Sequence, residues 1–132
     1  MAAWQQQLAA SLSDPAVVAA RFGLDPVAVA AVAARYPVRL PPPLLALIER
    51  ADDPLGRQFL PACSELADDG LSEDPLAEGE LTPLPAVVHR YPGRALLLAG
   101  NGCAAYCRFC TRKRRVGCAA YRLPFAELLK GV

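Results

Sequence analysis

Three cysteines fall within eight residues of the stretch NGCAAYCRFCTRKRRVG, residues 101–117: Cys103, Cys107 and Cys110, spaced C-x3-C-x2-C. Five basic residues interleave or follow, Arg108, Arg112, Lys113, Arg114 and Arg115. Such spacing gathers soft donors on one loop, and three chemistries remain open. A 4Fe–4S cluster needs three thiolates when one iron is left for an exogenous ligand. Structural zinc needs a fourth ligand, for which Cys118 or His89 could serve. Redox-active thiols are the third reading. The total of five cysteines is odd, so a closed disulfide set leaves one over. The start, MAAWQQQLAASLSD, has neither a basic cluster nor an apolar core of an export signal. The expected location is therefore cytoplasmic, where thiols stay reduced and metal binding is favoured over disulfides.

The 132 residues fit one domain, and an apolar content of 54% is enough to build a core. The net charge of +1 gives no global case for nucleic acid or a membrane surface. An RNA-binding reading would use Tyr106 and Phe109 for stacking and the basic run for phosphates, but no RNA-binding fold pattern accompanies them. The longest unbroken apolar run is Val27–Ala34, far short of a membrane span. Neither nucleic acid nor membrane is expected as a partner.

Residues 1–51 read as a helical region. Asp14-Pro15 and Asp25-Pro26 each place a capping carboxylate before a proline at the first helical position. Gly23 closes the first helix and Pro37 stops the second after Tyr36. A third helix is expected at about Leu44–Ala51. Residues 52–87, rich in Asp, Glu, Pro and Gly, carry no sustained period and read as an extended, wrapping connection with a solvated acidic stretch around Asp68-Asp69 and Glu73-Asp74. Residues 88–132 begin with the apolar run Ala95–Ala99, which has the look of a parallel strand buried on both faces. The cysteine loop follows directly, where α/β folds place their chemistry. A helix starts near Pro124. Lone Cys63 reads as a small core residue. One buried strand needs neighbours, so the expectation is an α/β chain truncated after the first βα unit.

The motif Cys103, Cys107, Phe109, Cys110 resembles the C-x3-C-x-aromatic-C signature of radical S-adenosylmethionine (SAM) enzymes. With DDPLGRQFLPACSEL upstream and DPLAEGELTPLPAVVHRYPGRALLLAGNGC leading into CRFCTRKRR, residues of about 50–117 are similar to the lysine 2,3-aminomutase family, and the early Trp4-Gln5 is in keeping. The resemblance implies a helical N-terminal region before a partial, TIM-like α/β barrel. It implies a 4Fe–4S cluster on Cys103, Cys107 and Cys110, SAM on the open iron, and pyridoxal 5′-phosphate (PLP) holding a lysine-like substrate. In that family a 5′-deoxyadenosyl radical takes a hydrogen from the β-carbon, and the amino group moves from the α- to the β-carbon. An electron donor such as flavodoxin or ferredoxin is implied, and a homo-oligomer is compatible with it.

By position, Arg90 and Arg94 match the family's arginines for the PLP phosphate. Arg112 matches the arginine for the substrate carboxylate, and Phe109 the aromatic beside the SAM adenine. Other family elements have no counterpart here: the glycine-rich SAM segment, the Schiff-base lysine that carries PLP, and the acids that recognise a distal ammonium. The chain thus reads as an N-terminal piece without a complete active site. The CTRKRR run is closer to the metabolic aminomutase branch than to the relative that makes β-lysine for modifying elongation factor P, or to the one acting on glutamate. The alternative from another class is a small zinc-binding interaction module using Cys103, Cys107, Cys110 and Cys118.

Overall fold

Asp-Pro pairs start the main helices. In the computed structural model, which describes residues 2–67 and 70–129, the chain opens with α1 (Ala3–Ala9), α2 (Pro15–Phe22) and α3 (Pro26–Arg35). The Asp14 carboxylate accepts from the amides of Ala16 (2.8 Å) and Val17 (3.4 Å), and Asp25 accepts from Val27 (2.9 Å). Each side chain satisfies amides that have no partner inside a first helical turn. Gly23 ends α2 at φ 63°, the left-handed conformation glycine adopts without strain. Both helix starts and the end of α2 lie where the sequence puts them.

The expected helix over Leu44–Ala51 is not formed. Helix α4 covers only Pro42–Leu45, and α5 runs Pro54–Phe59. Asp53 explains the break. One carboxylate oxygen accepts from the amides of Glu49 and Arg50 (both 2.9 Å), while the other caps α5 through Gly56 (2.5 Å). Those amides bend into a turn instead of extending α4. The core lies among these helices: Val18, Ala19, Val29, Val38, Leu40, Ile48 and Leu60 are buried together. Leu12 and Leu40 exchange two backbone hydrogen bonds of 2.9 Å, tying the end of α1 to the segment after α3.

A 3-10 turn at Cys63–Leu66 follows α5. The Asp68-Asp69 part of the acidic stretch lies outside the described residues. β1 (Val87–Tyr91) and β2 (Arg94–Leu97) then form an antiparallel hairpin, pairing Val87 with Leu97, Val88 with Leu96 and Tyr91 with Arg94, with an irregularity between Val88 and Tyr91. This corrects the expectation for Ala95–Ala99. The run pairs antiparallel to β1 and is exposed along β2, with Leu96 at 43%. Continuous apolarity signalled burial on both faces, but β2 lies in a two-stranded sheet. The described architecture is mixed helix and small sheet. A short 3-10 turn (Ala119–Tyr121) and α6 (Phe125–Leu129) come last. Among the described residues no helix is long and apolar enough to cross a membrane.

The cysteine loop is fastened to the helices by backbone and charge. The Arg108 amide donates to Gln58 O (2.7 Å) and the Tyr106 amide to Arg39 O (3.2 Å). The Arg108 guanidinium, its side chain 4% exposed, donates to the Glu65 carboxylate (2.5–3.1 Å) and to Pro37 O (3.1 Å). Lys113 pairs with the same carboxylate. Burial pushes the Glu65 carboxyl up, but Arg108, Lys113 and the Ala62 amide outweigh it and hold it below the usual carboxylate range. A buried pair of this kind adds little net stability when whole, but losing one partner costs roughly 3–5 kcal/mol.

Two outcomes follow for the fold. A Cβ on Gly56 would collide with the backbone carbonyl oxygens of Arg50 and Ala51, whereas nothing lies within 4 Å of one on Gly93. Gly56→Ala should therefore destabilise the chain by about 1–3 kcal/mol in urea melts, despite alanine's better helix propensity, and Gly93→Ala by less than about 0.5 kcal/mol. For pH, a Glu65 carboxyl lowered in the fold contributes stability that is complete above the ordinary glutamate value of about 4.3 and is lost as pH falls through the lower folded value. The melting temperature, followed by circular dichroism, should drop on acidification below about pH 4.3, and less steeply in Glu65→Gln.

Candidate functional site

The site begins where β2 ends. The chain leaves the sheet through Gly100-Asn101-Gly102, and Asn101 closes the loop that follows. Its Nδ2 donates to Cys118 O (2.5 Å) and Arg115 O (3.2 Å), and its carbonyl accepts from the Gly117 amide (2.9 Å). Gly117 has φ 73°, and the Tyr106 ring lies where a Cβ would be. Tyr106 also lies 5.5 Å from the Arg39 guanidinium, and Arg39 Nη1 donates to Cys103 O (3.2 Å). The loop between Cys103 and Cys110 is therefore held at both ends and through its middle.

Cys103, Cys107 and Cys110 line one small cavity of about 40 Å³, walled also by Tyr36, Pro37 and Lys113. All three are free thiols. Burial pushes the Cys107 thiol up, and the neighbouring Cys110 and Cys103 push the same way, against the Phe109 amide. Cys103 and Cys110 also border a larger cavity of about 470 Å³ with Asn101, Arg112, Arg115 and Tyr121. Among the described residues the thiols do not form a ready-made metal-holding group. As a donor set of three adjacent soft ligands they fit an iron–sulfur cluster with one open iron. Cys118 and His89 line neither cavity. His89 is exposed on β1, and its amide donates to Leu81 O (2.7 Å).

The arginines gather on a neighbouring cavity of about 550 Å³, lined by Arg90, Arg94, Arg112 and Glu78. Arg90 Nη1 donates to Leu76 O (2.7 Å), and the Arg94 guanidinium lies 4.5 Å from the centroid of the Tyr91 ring. Arg112 donates from Nε (3.0 and 3.1 Å) and Nη2 (2.6 Å) to the Glu78 carboxylate, which is 4% exposed. The hydrogen bond to Glu78 raises the guanidinium's pKa above its ordinary value, and burial opposes it. Glu78 takes the side-on Nε/Nη2 face. The end-on face, Nη1 with the second hydrogen of Nη2, is the other bidentate face of a guanidinium. Three arginines around one cavity fit a dianionic phosphate and a carboxylate.

Some expectations change. Phe109 is 78% exposed and lines a separate groove with Leu24, Val29 and Cys63, so it is not brought to the cysteine cavities. Cys63 is exposed there and is not a core residue. The acidic stretch is not simply solvated: Asp74 pairs with Arg114 at 2.6 Å, and Glu73 pairs with Arg35. Glu65, Asp74 and Glu78 were not singled out by the sequence motifs. The one available signal was charge balance, since 14 basic residues against 13 acidic ones leave a local run of four cations in need of partners.

No protein-family model matches the chain. Sequence comparison finds amino-acid 2,3-aminomutases among the relatives. The L-lysine 2,3-aminomutase of Clostridium subterminale is 39% identical over 94 residues, covering 69% of this chain and 23% of that protein. The L-lysine 2,3-aminomutase of Escherichia coli strain K12 is 34% identical over 131 residues, 94% of this chain and 36% of the relative. The glutamate 2,3-aminomutase of Clostridioides difficile strain 630 is 37% identical over 78 residues, 58% of this chain and 18% of the relative. The chain spans between 18% and 36% of the length of these curated relatives. At these identities and coverages the chain belongs to the lysine 2,3-aminomutase family as a partial member.

Proposed function

We propose that these 132 residues supply the cluster loop and the anion-binding arginines of a radical SAM, PLP-dependent amino-acid 2,3-aminomutase, of the type that converts L-lysine to β-lysine. The observation that carries the reading is the position of Arg112, which lines both the 550 Å³ arginine cavity and the 470 Å³ cavity bordered by Cys103 and Cys110. An anion held by Arg112 would thus lie between the phosphate-type and the thiol-type chemistry. The carboxylate it would read is common to lysine and glutamate, which accords with relatives named for both.

In this reading Cys103, Cys107 and Cys110 would hold the 4Fe–4S cluster, with reduction by a flavodoxin- or ferredoxin-class donor. When bound, the cluster with SAM and PLP supply radical generation and an electron sink for the migrating amino group. The chain's own part is binding and orientation. Cys107 Sγ, its proton held on by burial, gives up that proton on loading, as thiolate ligation requires. Arg90 and Arg94 clamp the phosphate with planar, charge-assisted contacts. Arg112 presents its end-on face to the substrate carboxylate, and Glu78 fixes the direction of that face. Phe109 is assigned to the SAM adenine on family position alone. The family's PLP lysine has no counterpart among these residues, and Lys113 is engaged with Glu65.

Anaerobic reconstitution with iron and sulfide tests the reading. We expect about four irons and four sulfides per chain, with broad visible absorption that bleaches on reduction. Cys103→Ala, Cys107→Ala and Cys110→Ala should each abolish it, and Cys118→Ala should leave it intact. A single zinc without sulfide, lost on Cys118→Ala, would replace the reading with a zinc-binding interaction module. The reconstituted 132-residue chain given SAM, PLP and reductant should form no β-lysine from L-lysine by chromatographic assay.

A further inference from the structure

We infer that Glu65 is a positioning residue for the cysteine loop: its buried carboxylate grips Arg108 and Lys113, on either side of Cys110, and fixes the thiols' spacing through contacts independent of the thiols. The Glu65 side chain is 10% exposed, Arg108 4% and Lys113 20%. Arg108 lies between Cys107 and Cys110 in sequence. It gives Nε and Nη2 to Glu65, Nη1 to Pro37 O and its amide to Gln58 O. Lys113 gives its ammonium to the same carboxylate, lies 4.2 Å from the Tyr36 ring centroid, and donates its amide to Cys110 O (3.1 Å). Glu65 is held in turn by the Ala62 amide (2.8 Å).

The net stability of the intact group, set against apolar side chains in its place, does not account for it. The core lies among α2, α3 and the segments after them, and Glu65, Arg108 and Lys113 take no part in it. A buried ion pair is often replaceable by apolar side chains without loss. What apolar side chains could not supply is direction. A carboxylate with two cationic partners five residues apart along the loop fixes where the intervening turn lies, and Cys110 is on that turn. The two cations it holds reach Pro37 O and the Tyr36 ring, and Tyr36 and Pro37 wall the cavity of the three thiols. Contacts around a metal-binding loop orient its ligands, and these act on the turn that carries Cys110.

The test uses the whole chain and reads the loop directly. Rates of alkylation by iodoacetamide at Cys107 and Cys110, resolved by peptide mass spectrometry, are compared between wild type and Glu65→Gln, with far-ultraviolet circular dichroism reporting the helices. Expected is an acceleration of about tenfold at both thiols with the helical signal unchanged, because the loop opens locally while the core stays folded. Equal rates at Cys107 and Cys110 in a folded variant overturn the inference. Should Glu65→Gln fail to fold, Lys113→Gln leaves the Arg108–Glu65 pair whole. It should speed Cys110 alkylation about threefold, and an unchanged rate there also overturns the inference. Iron–sulfide assembly provides a second readout, resting on the proposed function: Glu65→Gln should assemble about tenfold more slowly than wild type. If wild type takes up no iron, the proposed function fails while the alkylation result still decides the role of Glu65.

Discussion

The cysteine loop meets the helical part of the chain over one carboxylate that has left water. Glu65 is charged beneath the loop because Arg108, Lys113 and an amide meet it there. With those partners in place it joins three parts of the chain distant in sequence: the end of α3 through Pro37, the turn after α5, and the loop itself. Without it Arg108 would be a buried, uncompensated cation, a costly arrangement at low dielectric. Glu78 repeats the device on the other flank, burying a carboxylate against Arg112. The loop is thus suspended between two buried acids, alongside the backbone bonds that Tyr106 and Arg108 give to the helical part.

Each acid is itself presented by a small turn. Glu65 sits in the 3-10 turn that begins at Cys63, where its side chain reaches back to the Ala62 amide. Glu78 follows Ala77, which adopts φ 49°, a conformation uncommon outside glycine, asparagine and aspartate. The turn before it is set by Asp74, which accepts from the Gly79 amide (2.7 Å) and pairs with Arg114. A stretch without helical or strand period is therefore not without structure. Its order is carried by single carboxylates, each satisfying several amides or guanidiniums.

This explains which parts of the molecule were legible in the sequence. Asp14, Gly23 and Asp25 act on atoms two to four residues away and Pro15 on its own turn, so their meaning is local and the helices lie where those residues put them. Asp53 is local too, but it serves two turns at once, and periodicity alone gave Leu44–Ala51 a helix it does not have. The pairs Glu65–Arg108 and Glu78–Arg112 span 43 and 34 residues, a distance at which no local rule acts. The same holds for β2, whose apolar run describes composition and not the number of layers around it. The cysteine spacing could be read as a loop of soft donors, whereas the parts assigned to the arginines came only with the family resemblance. The separation of Phe109 from the thiols could not be read, because it depends on which way one exposed side chain leaves the loop.

The pairing of Arg112 with Glu78 has a consequence for selectivity. A lone guanidinium on a cavity wall attracts any anion, chloride included, by charge alone. Arg112 with Glu78 on its side-on face is close to a neutral unit with a dipole directed into the cavity. Long-range attraction is largely cancelled, and only a ligand able to accept two parallel hydrogen bonds at short range recovers the interaction. The wall therefore discriminates by shape where a free cation would discriminate by charge, and planar carboxylates are favoured over the spherical ions that outnumber them.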